Sequence, residues 1–406
     1  MKKLLAFSLY DVGNSVFPMI IVSVLTSSYF VNHVADNPQT GTALWQLTIG
    51  VAGILVALMM PFLGNLADTI KNGRLVFLRL LTILCIISIA LFWFVQPSSN
   101  HVFLALLILL LGSLTYEASN SLYNATLKSC NNSNLTFSSG IGFGSGFLGS
   151  VIILIILLQT IILPEQKLFD IPTNSQIHFR FVHVILALWF LIFSIPLLYL
   201  CKFNQVSVAS NMKTTSRMKD LIWNKGLTNT GKFLVARMFY VDGMVIITTG
   251  IGIFGTSVIG LSMKEILFTA IIANIAGALG CYMYGFFFKN NKKIIMNNLL
   301  ILITIVAGIS ISNTQLQFMI LAIAGTFFSG PLQSSSRAIM ANLTPDDIQG
   351  ISFGIFTVSG KVTAFIGPIL AGVMTFVFSQ RVGFGFSIVL LLLGFFLMAK
   401  VNYKNN

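Results

Sequence analysis

The stretch KFNQVSVASNMKTTSRMKDLIWNKGLTNTGK, from Lys202 to Lys232, decides the fold of this chain. It holds six basic residues against one acid, Asp220, and it is the longest part of the sequence without a continuous apolar segment. Long apolar runs flank it on both sides, and a soluble core could not absorb that much apolar chain. We therefore predict two membrane-embedded bundles, residues 1–201 and 232–406, joined by a basic cytoplasmic linker at 202–231.

The composition indicates the same class of protein. Of the 406 residues, 56% are hydrophobic and only 9% are charged, whereas ordinary globular domains are about 25% charged. Apolar runs of roughly 20 residues, the length that crosses a bilayer as a helix, recur along the chain. They lack the short alternating segments of a membrane β-barrel. We therefore expect an all-α, multi-pass membrane protein that retains its first helix.

Other classes of function are disfavoured by residue placement. The net charge of +13 follows from where the basic residues lie along the spans, so we expect no nucleic-acid partner. The four cysteines occur singly in or beside apolar runs and form neither a disulfide framework nor a metal motif. No nucleophile motif is present. We therefore expect no cofactor, no metal site and no enzymatic activity.

Twelve membrane spans can be placed, six before the basic linker and six after it. They lie near residues 6–31, 44–65, 75–95, 102–127, 140–163, 181–201, 232–256, 265–288, 294–312, 316–340, 350–378 and 382–400. The halves resemble each other, since Tyr10-Asp11 opens the first span and Tyr240-Val-Asp242 opens the seventh. This is the layout of repeat-built secondary transporters.

Lysine and arginine are distributed unevenly between the two ends of these spans. With a cytoplasmic N-terminus, sixteen of the 24 lie on the inner side, four lie in outer loops and four lie within spans. Inner loops of membrane proteins are enriched in these residues. We therefore predict that both termini and the linker face the cytoplasm, with the bacterial inner membrane as the expected location.

A short motif follows the second predicted span. Gly64-Asn-Leu-Ala-Asp68, followed by Gly73-Arg74, resembles the inner-loop motif of the major facilitator superfamily. The resemblance implies that Asp68 helps to lock the cytoplasmic side, so Gly64, Asp68 and Arg74 are gating candidates. This copy departs from the pattern at Thr69, where Arg is usual, and in the extra residues before Gly73.

Further segments are similar to the branch of this superfamily that includes the fungal vacuolar amino-acid effluxers linked to autophagy. They are Tyr10–Phe17, Arg237–Gly243, Ser335–Ala341, Ser359–Lys361 and Phe365–Pro368. Most relatives carry Trp-Ala after the first aspartate, where this chain has Val12-Gly13. The resemblance implies the two six-helix bundles of the major facilitator fold. It also implies a small solute, such as an amino acid, as the exported substrate.

Charged side chains inside spans are costly unless they are paired, and so they are candidates for function. Those considered for substrate binding or coupling, with nearby amides, are Asp11, Asn14, Glu117, Asn120, Asn124, Asp242 and Lys361. Arg337 is a further gating candidate. The structural alternatives are a solvated helix start for Asp11, hydrogen-bonded packing for Glu117, a structural pair with Arg237 for Asp242, and snorkelling for Arg337.

Lys361 gives the sharpest of these predictions. It lies about eleven residues into the predicted eleventh span, roughly 16 Å deep at 1.5 Å per residue, which is too deep for easy snorkelling. We expect it to pair with Asp242 or Glu117, or to anchor a substrate carboxylate. The glycine run at 140–149 contains a dinucleotide-binding pattern without the required strand. We interpret that run as helix packing between spans 5 and 8.

The sequence favours a secondary transporter that moves a small molecule by alternating access, with protons as a candidate coupling ion. Its expected surroundings are the lipid bilayer, and its expected state is a monomer. Two alternatives stay open: a proton-coupled exporter of drugs or metabolites, and a transport-dead membrane receptor or scaffold. A transport-dead protein would typically have lost its intramembrane charges, and this chain keeps several.

A reporter fused near Asn211 in the linker should read as cytoplasmic, and one near Ser98 as external, because of the sixteen-to-four distribution of basic residues. Paired alkaline phosphatase and green fluorescent protein fusions measure this directly, since each is active on one side only. The opposite pattern would overturn the predicted orientation.

Overall fold

The computed structural model describes residues 2–131, 133–162, 176–201, 214–364 and 366–403. All regular secondary structure within these residues is helical, in agreement with the all-α prediction. The first part of the predicted linker, 202–213, lies outside the described residues. The rest of it contains a short helix, Thr214–Ile222, and span 7 begins at Asn229, slightly earlier than predicted.

Eleven helical stretches of the described chain are long and apolar enough to cross a membrane. Numbered as predicted, spans 1 to 10 and span 12 are Lys2–Val34, Pro38–Thr69, Gly73–Phe94, Ser99–Ala125, Leu135–Ile162, Ile177–Tyr199, Asn229–Ser257, Lys264–Phe287, Asn291–Ile311, Gln315–Leu343 and Gln380–Ala399. Together with span 11, which is interrupted, they give the predicted order of six spans on either side of the linker.

The prediction of one continuous span 11 was wrong. The structure has a helix Gln349–Ser359, a turn at 360–364 and a second helix Ile366–Val377. Pro368 accounts for the break, because a proline inside a helix removes a hydrogen bond and clashes with the preceding turn. In the first turn of a new helix the amides have no intrahelical partner. A proline there loses no hydrogen bond and has no preceding turn to clash with. Lys361 therefore lies in a turn, which we call the Lys361 turn.

Span 1 is also irregular. It begins as an α-helix over Lys2–Asn14 and continues through π-helical turns at Phe17–Val22 and Phe30–Val34. Pro18 lies at the start of the first π-helical turn and cannot donate the backbone hydrogen bond that would continue an α-helix. Such π-turns are frequent at functional sites. Span 1 in the first half and span 11 in the second are thus both interrupted next to charged residues.

Polar caps fix where several spans begin. At the start of span 8, Ser262 Oγ accepts from the amide of Glu265, and Glu265 Oε2 accepts from the amide of Ser262. Single side chains cap seven further spans: Asn37, Ser98, Asn134, Thr228, Asn290, Thr314 and Ser379. The first amides of a helix have no intrahelical partner, so a polar residue just before an apolar run stabilises the start of the span.

Spans 5 and 8 pack closely through glycines, as predicted. A Cβ at Gly140 would lie 2.7 Å from the carbonyl oxygen of Cys281 and 3.1 Å from Cα of Gly285, so any side chain there would force the helices apart. Span 2 approaches the first helix of span 11 in the same way, through Gly64 and Gly350. These glycine contacts join the two halves.

The halves meet at the end of the bundle where span 1 begins and span 12 ends, which we call the terminal end. Thr136 Oγ1 of span 5 donates to the carbonyl of Lys289 at 3.2 Å. Lys128 Nζ donates to the carbonyl of Thr344 and forms an ion pair with Asp346 at 2.7 Å. This conformation is therefore closed at the terminal end.

Candidate functional site

A cavity of about 210 Å³ lies between spans 1, 4, 5 and 10. The structure brings together at its walls five of the predicted site residues: Asp11, Asn14, Asn120, Asn124 and Arg337. The rings of Tyr116, Phe143 and Phe147 line other parts of the cavity. The cavity therefore combines a small polar wall with aromatic surface, as ligand sites commonly do.

The polar wall comes from residues about one helical turn apart on spans 1 and 4. Asp11 and Asn14 lie three residues apart, so they share a face of span 1. Asn120 and Asn124 lie four residues apart and share a face of span 4. Asn14 Nδ2 donates to Asn120 Oδ1 at 3.3 Å and joins the two faces. Helical spacing predicts each of the two faces, and the structure shows that they meet.

Arg337 of span 10 crosses from the second half into the first. Its Nη1 donates to Asp11 Oδ2 at 3.2 Å and to Asn124 Oδ1 at 3.1 Å. Its Nε and Nη2 donate to the hydroxyl and the carbonyl of Ser139 on span 5, both at 2.8 Å. The side chain is only 2% exposed, so the alternative that Arg337 snorkels towards water was wrong.

Aromatic rings and a glycine complete the Arg337 pocket. The guanidinium carbon lies 4.3 Å from the ring centroid of Phe143, 5.0 Å from that of Phe7 and 5.6 Å from that of Tyr123. A Cβ at Gly142 would lie 2.7 Å from Nη2, so this glycine gives the guanidinium room. The sequence reading missed Ser139 and the rings, although the Ser139-Gly140 pair in span 5 was a usable signal.

Lys361 pairs with Glu117, which is one of its two predicted partners. Lys361 Nζ lies 2.6 Å from Glu117 Oε1, and the two side chains are 34% and 19% exposed. The prediction of a carboxylate partner is confirmed, and that partner is Glu117 and not Asp242. The pair is partly open to solvent and connects the Lys361 turn in the second half to span 4 in the first.

Span 7 holds the two pieces of span 11 around this turn. Arg237 Nη1 donates to the carbonyl of Phe356 at 2.7 Å and to Ser359 Oγ at 2.8 Å, and thereby caps the end of the first helix. Asp242 Oδ1 accepts from Thr363 Oγ1 at 3.0 Å within the turn. The alternative that Asp242 pairs with Arg237 was wrong, because residues five apart do not share a helix face.

The gating candidates Gly64, Asp68 and Arg74 lie together at the terminal end. Asp68 accepts from Arg74 Nε at 2.6 Å and from the amides of Gly350 and Ile351 at 2.9 and 2.8 Å. A carboxylate at the first amides of a helix is stabilised by the helix dipole as well as by the hydrogen bonds. Asp68 therefore fastens the first half to the start of span 11.

The linker helix Thr214–Ile222 binds the same motif. Arg217 Nη1 donates to Asn65 Oδ1 at 2.7 Å, and Asn65 Nδ2 donates to Thr214 Oγ1 at 2.9 Å. The sequence reading treated this region only as a basic linker and missed the contact. The departure at Thr69 leaves a neutral group there, whose hydroxyl donates to the carbonyl of Leu66.

These contacts form three levels between the halves. Asp68 lies at the terminal end, Arg337 lies beside the cavity, and the Glu117–Lys361 pair connects span 4 to the interrupted span 11. Each level is charged and joins groups that would separate if the terminal end opened. Such an arrangement can hold one conformation and release it when a ligand competes for the charges.

Comparisons with known proteins agree with this architecture. The family described as "Vacuole effluxer Atg22 like" matches residues 128–406. "Uncharacterized MFS-type transporter YxiO" of Bacillus subtilis is 25% identical over 404 residues, which cover 94% of this chain and 92% of that protein. "Autophagy-related protein 22-1" of Aspergillus fumigatus is 22% identical over 299 residues, which cover 66% of this chain and 48% of that protein.

Solved structures share the fold at low sequence identity. The transporter FucP, of the major facilitator superfamily and in its outward conformation, is similar with a TM-score of 0.76 and 14% identity, over 100% of this chain and 99% of that chain. The proton:xylose symporter XylE, bound to 6-bromo-6-deoxy-D-glucose, gives 0.75 and 10% identity, over 98% and 95% of the two chains.

Removing both charges of the Glu117–Lys361 pair should destabilise the protein by less than the sum of the two single removals. A lone partner left behind should cost roughly 1–3 kcal/mol, less than the 3–5 kcal/mol of a fully buried pair, because both groups are partly exposed. Thermal unfolding of Lys361→Ala, Glu117→Gln and the double variant in detergent measures this. The double variant should melt above the value obtained by adding the two single losses.

The exposed lysine Lys264, at the opposite end of the bundle, provides the matched control, and Lys264→Ala should melt like the wild type. If the fall in melting temperature of the double variant equals the sum of the two single falls, the two charges do not stabilise each other.

Proposed function

This chain belongs to the family of Atg22-like vacuole effluxers within the major facilitator superfamily, and on that premise we propose that it moves a small solute by alternating access. Its family and fold are those of membrane transporters, which are not enzymes. The proposal concerns the mechanism, the solute and the direction of transport.

One observation carries the proposed mechanism: Arg337 of the second half is bound inside the first half, at the wall of the cavity. It makes four hydrogen bonds, to Asp11, Asn124 and Ser139. Asp11 and Asn124 also line the cavity, so a solute that binds them competes with Arg337. Occupancy of the cavity then changes the free energy of the closed terminal end, which is what alternating access requires.

The proposed solute is an amino acid, moved out of the cell. A carboxylate, amides and a guanidinium beside aromatic rings suit a small molecule that carries both charges. The description of the family as vacuole effluxers supports export over import.

In the proposed cycle, residues 1–201 and 232–406 rock against each other about the cavity, with 202–231 as their connection. The terminal end faces the cytoplasm of a bacterial inner membrane, as the lysine and arginine distribution predicts. The described conformation is then closed towards the cytoplasm. The working unit is a monomer, because the contacts that close the terminal end join two halves of one chain.

Metabolite profiling of cells that lack or overproduce the protein should identify the compounds whose levels it changes. Purified protein in proteoliposomes loaded with unlabelled amino acids should then take up ¹⁴C-labelled amino acids by exchange. If no amino acid changes its level in these cells and none is exchanged by the vesicles, the proposal that the solute is an amino acid is contradicted.

Arg337→Lys is expected to lose at least about tenfold of this exchange, because a lysine ammonium cannot reproduce the directed hydrogen bonds of the guanidinium. The initial rate of ¹⁴C-amino-acid uptake measures the loss, and Lys264→Ala serves as the control. Wild-type exchange by Arg337→Lys would remove Arg337 from the mechanism, without bearing on whether the protein transports.

A further inference from the structure

Three acids lie within spans 1, 4 and 7, and two of them form ion pairs between the halves. Asp11 binds Arg337, and Glu117 binds Lys361. Asp242 of span 7 has no cation within ion-pair distance in the part of the chain that the structure describes. The three acids are therefore not equivalent, and Asp242 is the exception.

The surroundings of Asp242 are nearly all neutral. The residue is 5% exposed, and its described polar contact is the hydroxyl of Thr363. Spans 7, 10, 11 and 12 hold six other charged or titratable groups. Five of them are engaged with other partners: Arg237, Tyr240, Arg337, Lys361 and Arg381. The sixth, Lys232, lies near the start of span 7, almost three helical turns before Asp242. The helices Ile366–Val377 and Ser387–Ala399, which pack against span 7, carry no titratable side chain.

The missing ion pair at Asp242 decides which of the three acids can bind a proton at the lowest free-energy cost. Protonating Asp11 or Glu117 would break an ion pair that joins the halves and leave a lone cation in the spans. Protonating Asp242 breaks no ion pair and removes an uncompensated negative charge from the membrane interior. The hydroxyl of Thr363 can donate to the carboxylate and can also accept from the protonated acid, so their contact is possible in both states.

We propose that Asp242 binds the coupling proton of the transport cycle, an inference that rests on the proposed transport function. The proton comes from the aqueous phase, adds to a carboxylate oxygen of Asp242 and leaves again as a proton, with no other bond made or broken.

The Lys361 turn connects this proton to the rest of the site. Thr363, which contacts Asp242, and Lys361, which contacts Glu117 in the other half, are two residues apart in one turn. Neutral Asp242 leaves the region with one more positive charge, because Arg237 on the same span has no acidic partner among the described residues. That charge favours a solute that carries a carboxylate, so proton and solute affect each other's affinity through their charges.

The first test uses the purified protein alone, without any solute. Infrared difference spectra between about pH 9 and about pH 6, where exposed carboxylates stay ionised, should contain the carbonyl stretch of a protonated carboxylic acid. Asp242→Asn should lose that signal. Thr363→Val should shift the pH at which it appears, because it removes the hydroxyl contact. Asp36→Asn, at an exposed loop position, is the control and should leave it unchanged.

The second test separates coupling from transport itself. Proteoliposomes are given a pH gradient of either polarity, and uptake of ¹⁴C-labelled amino acids is compared with exchange at equal pH. In the wild type, one polarity should drive accumulation. Asp242→Asn should lose this response, so that its uptake is the same with either gradient and at equal pH. Asp36→Asn should keep the response.

The outcomes are distinguishable. Absence of exchange in the wild type would contradict the proposed amino-acid transport, and the infrared titration would still test Asp242. A gradient response retained by Asp242→Asn, or a response to sodium in place of protons, would overturn the assignment. So would an infrared signal that survives in Asp242→Asn and is lost in Asp11→Asn or Glu117→Gln.

Discussion

The closed arrangement depends on one buried cation, the guanidinium of Arg337. The Arg337 side chain is almost fully buried, and a charge buried without partners costs several kcal/mol, so protein groups must satisfy it. Its partners Asp11, Asn124 and Ser139 all belong to the other half. These partners thus allow the guanidinium to be buried, and they connect the two halves. Opening the terminal end removes those partners unless a solute, a proton or water replaces them.

Spans 1 and 11 are both interrupted next to the polar and charged residues of the site. Span 1 leaves regular α-helical geometry just after Asp11 and Asn14, and span 11 breaks at Lys361. In many transporters, discontinuous helices of this kind form the solute and ion sites, because their free ends offer polar groups inside the membrane. Here the break in span 11 is held on both sides by span 7, through Arg237 and Asp242. Lys361 in the same turn pairs with Glu117 of the first half, so a conformational change at the turn affects both halves.

Much of this could be predicted from the sequence, and the failures have physical causes. Hydropathy gave the twelve spans because a bilayer imposes their length, and glycine spacing predicted the contact of spans 5 and 8. The break in span 11 was missed because hydropathy does not detect it, although Pro368 signalled it. The choice of Glu117 over Asp242 as the partner of Lys361 depends on how the helices are rotated, which spacing on one helix does not specify.

Electron-electron distances between spin labels test the central role of Arg337 most directly. Lys71 and Lys400 are exposed at the terminal end, one in each half, and Asn100 and Gln317 are exposed at the opposite end. In Arg337→Gln, the distance between labels at Lys71 and Lys400 should lengthen and broaden, while the distance between Asn100 and Gln317 shortens. A terminal-end distribution identical to that of the wild type would contradict the account, because closure would then not depend on Arg337.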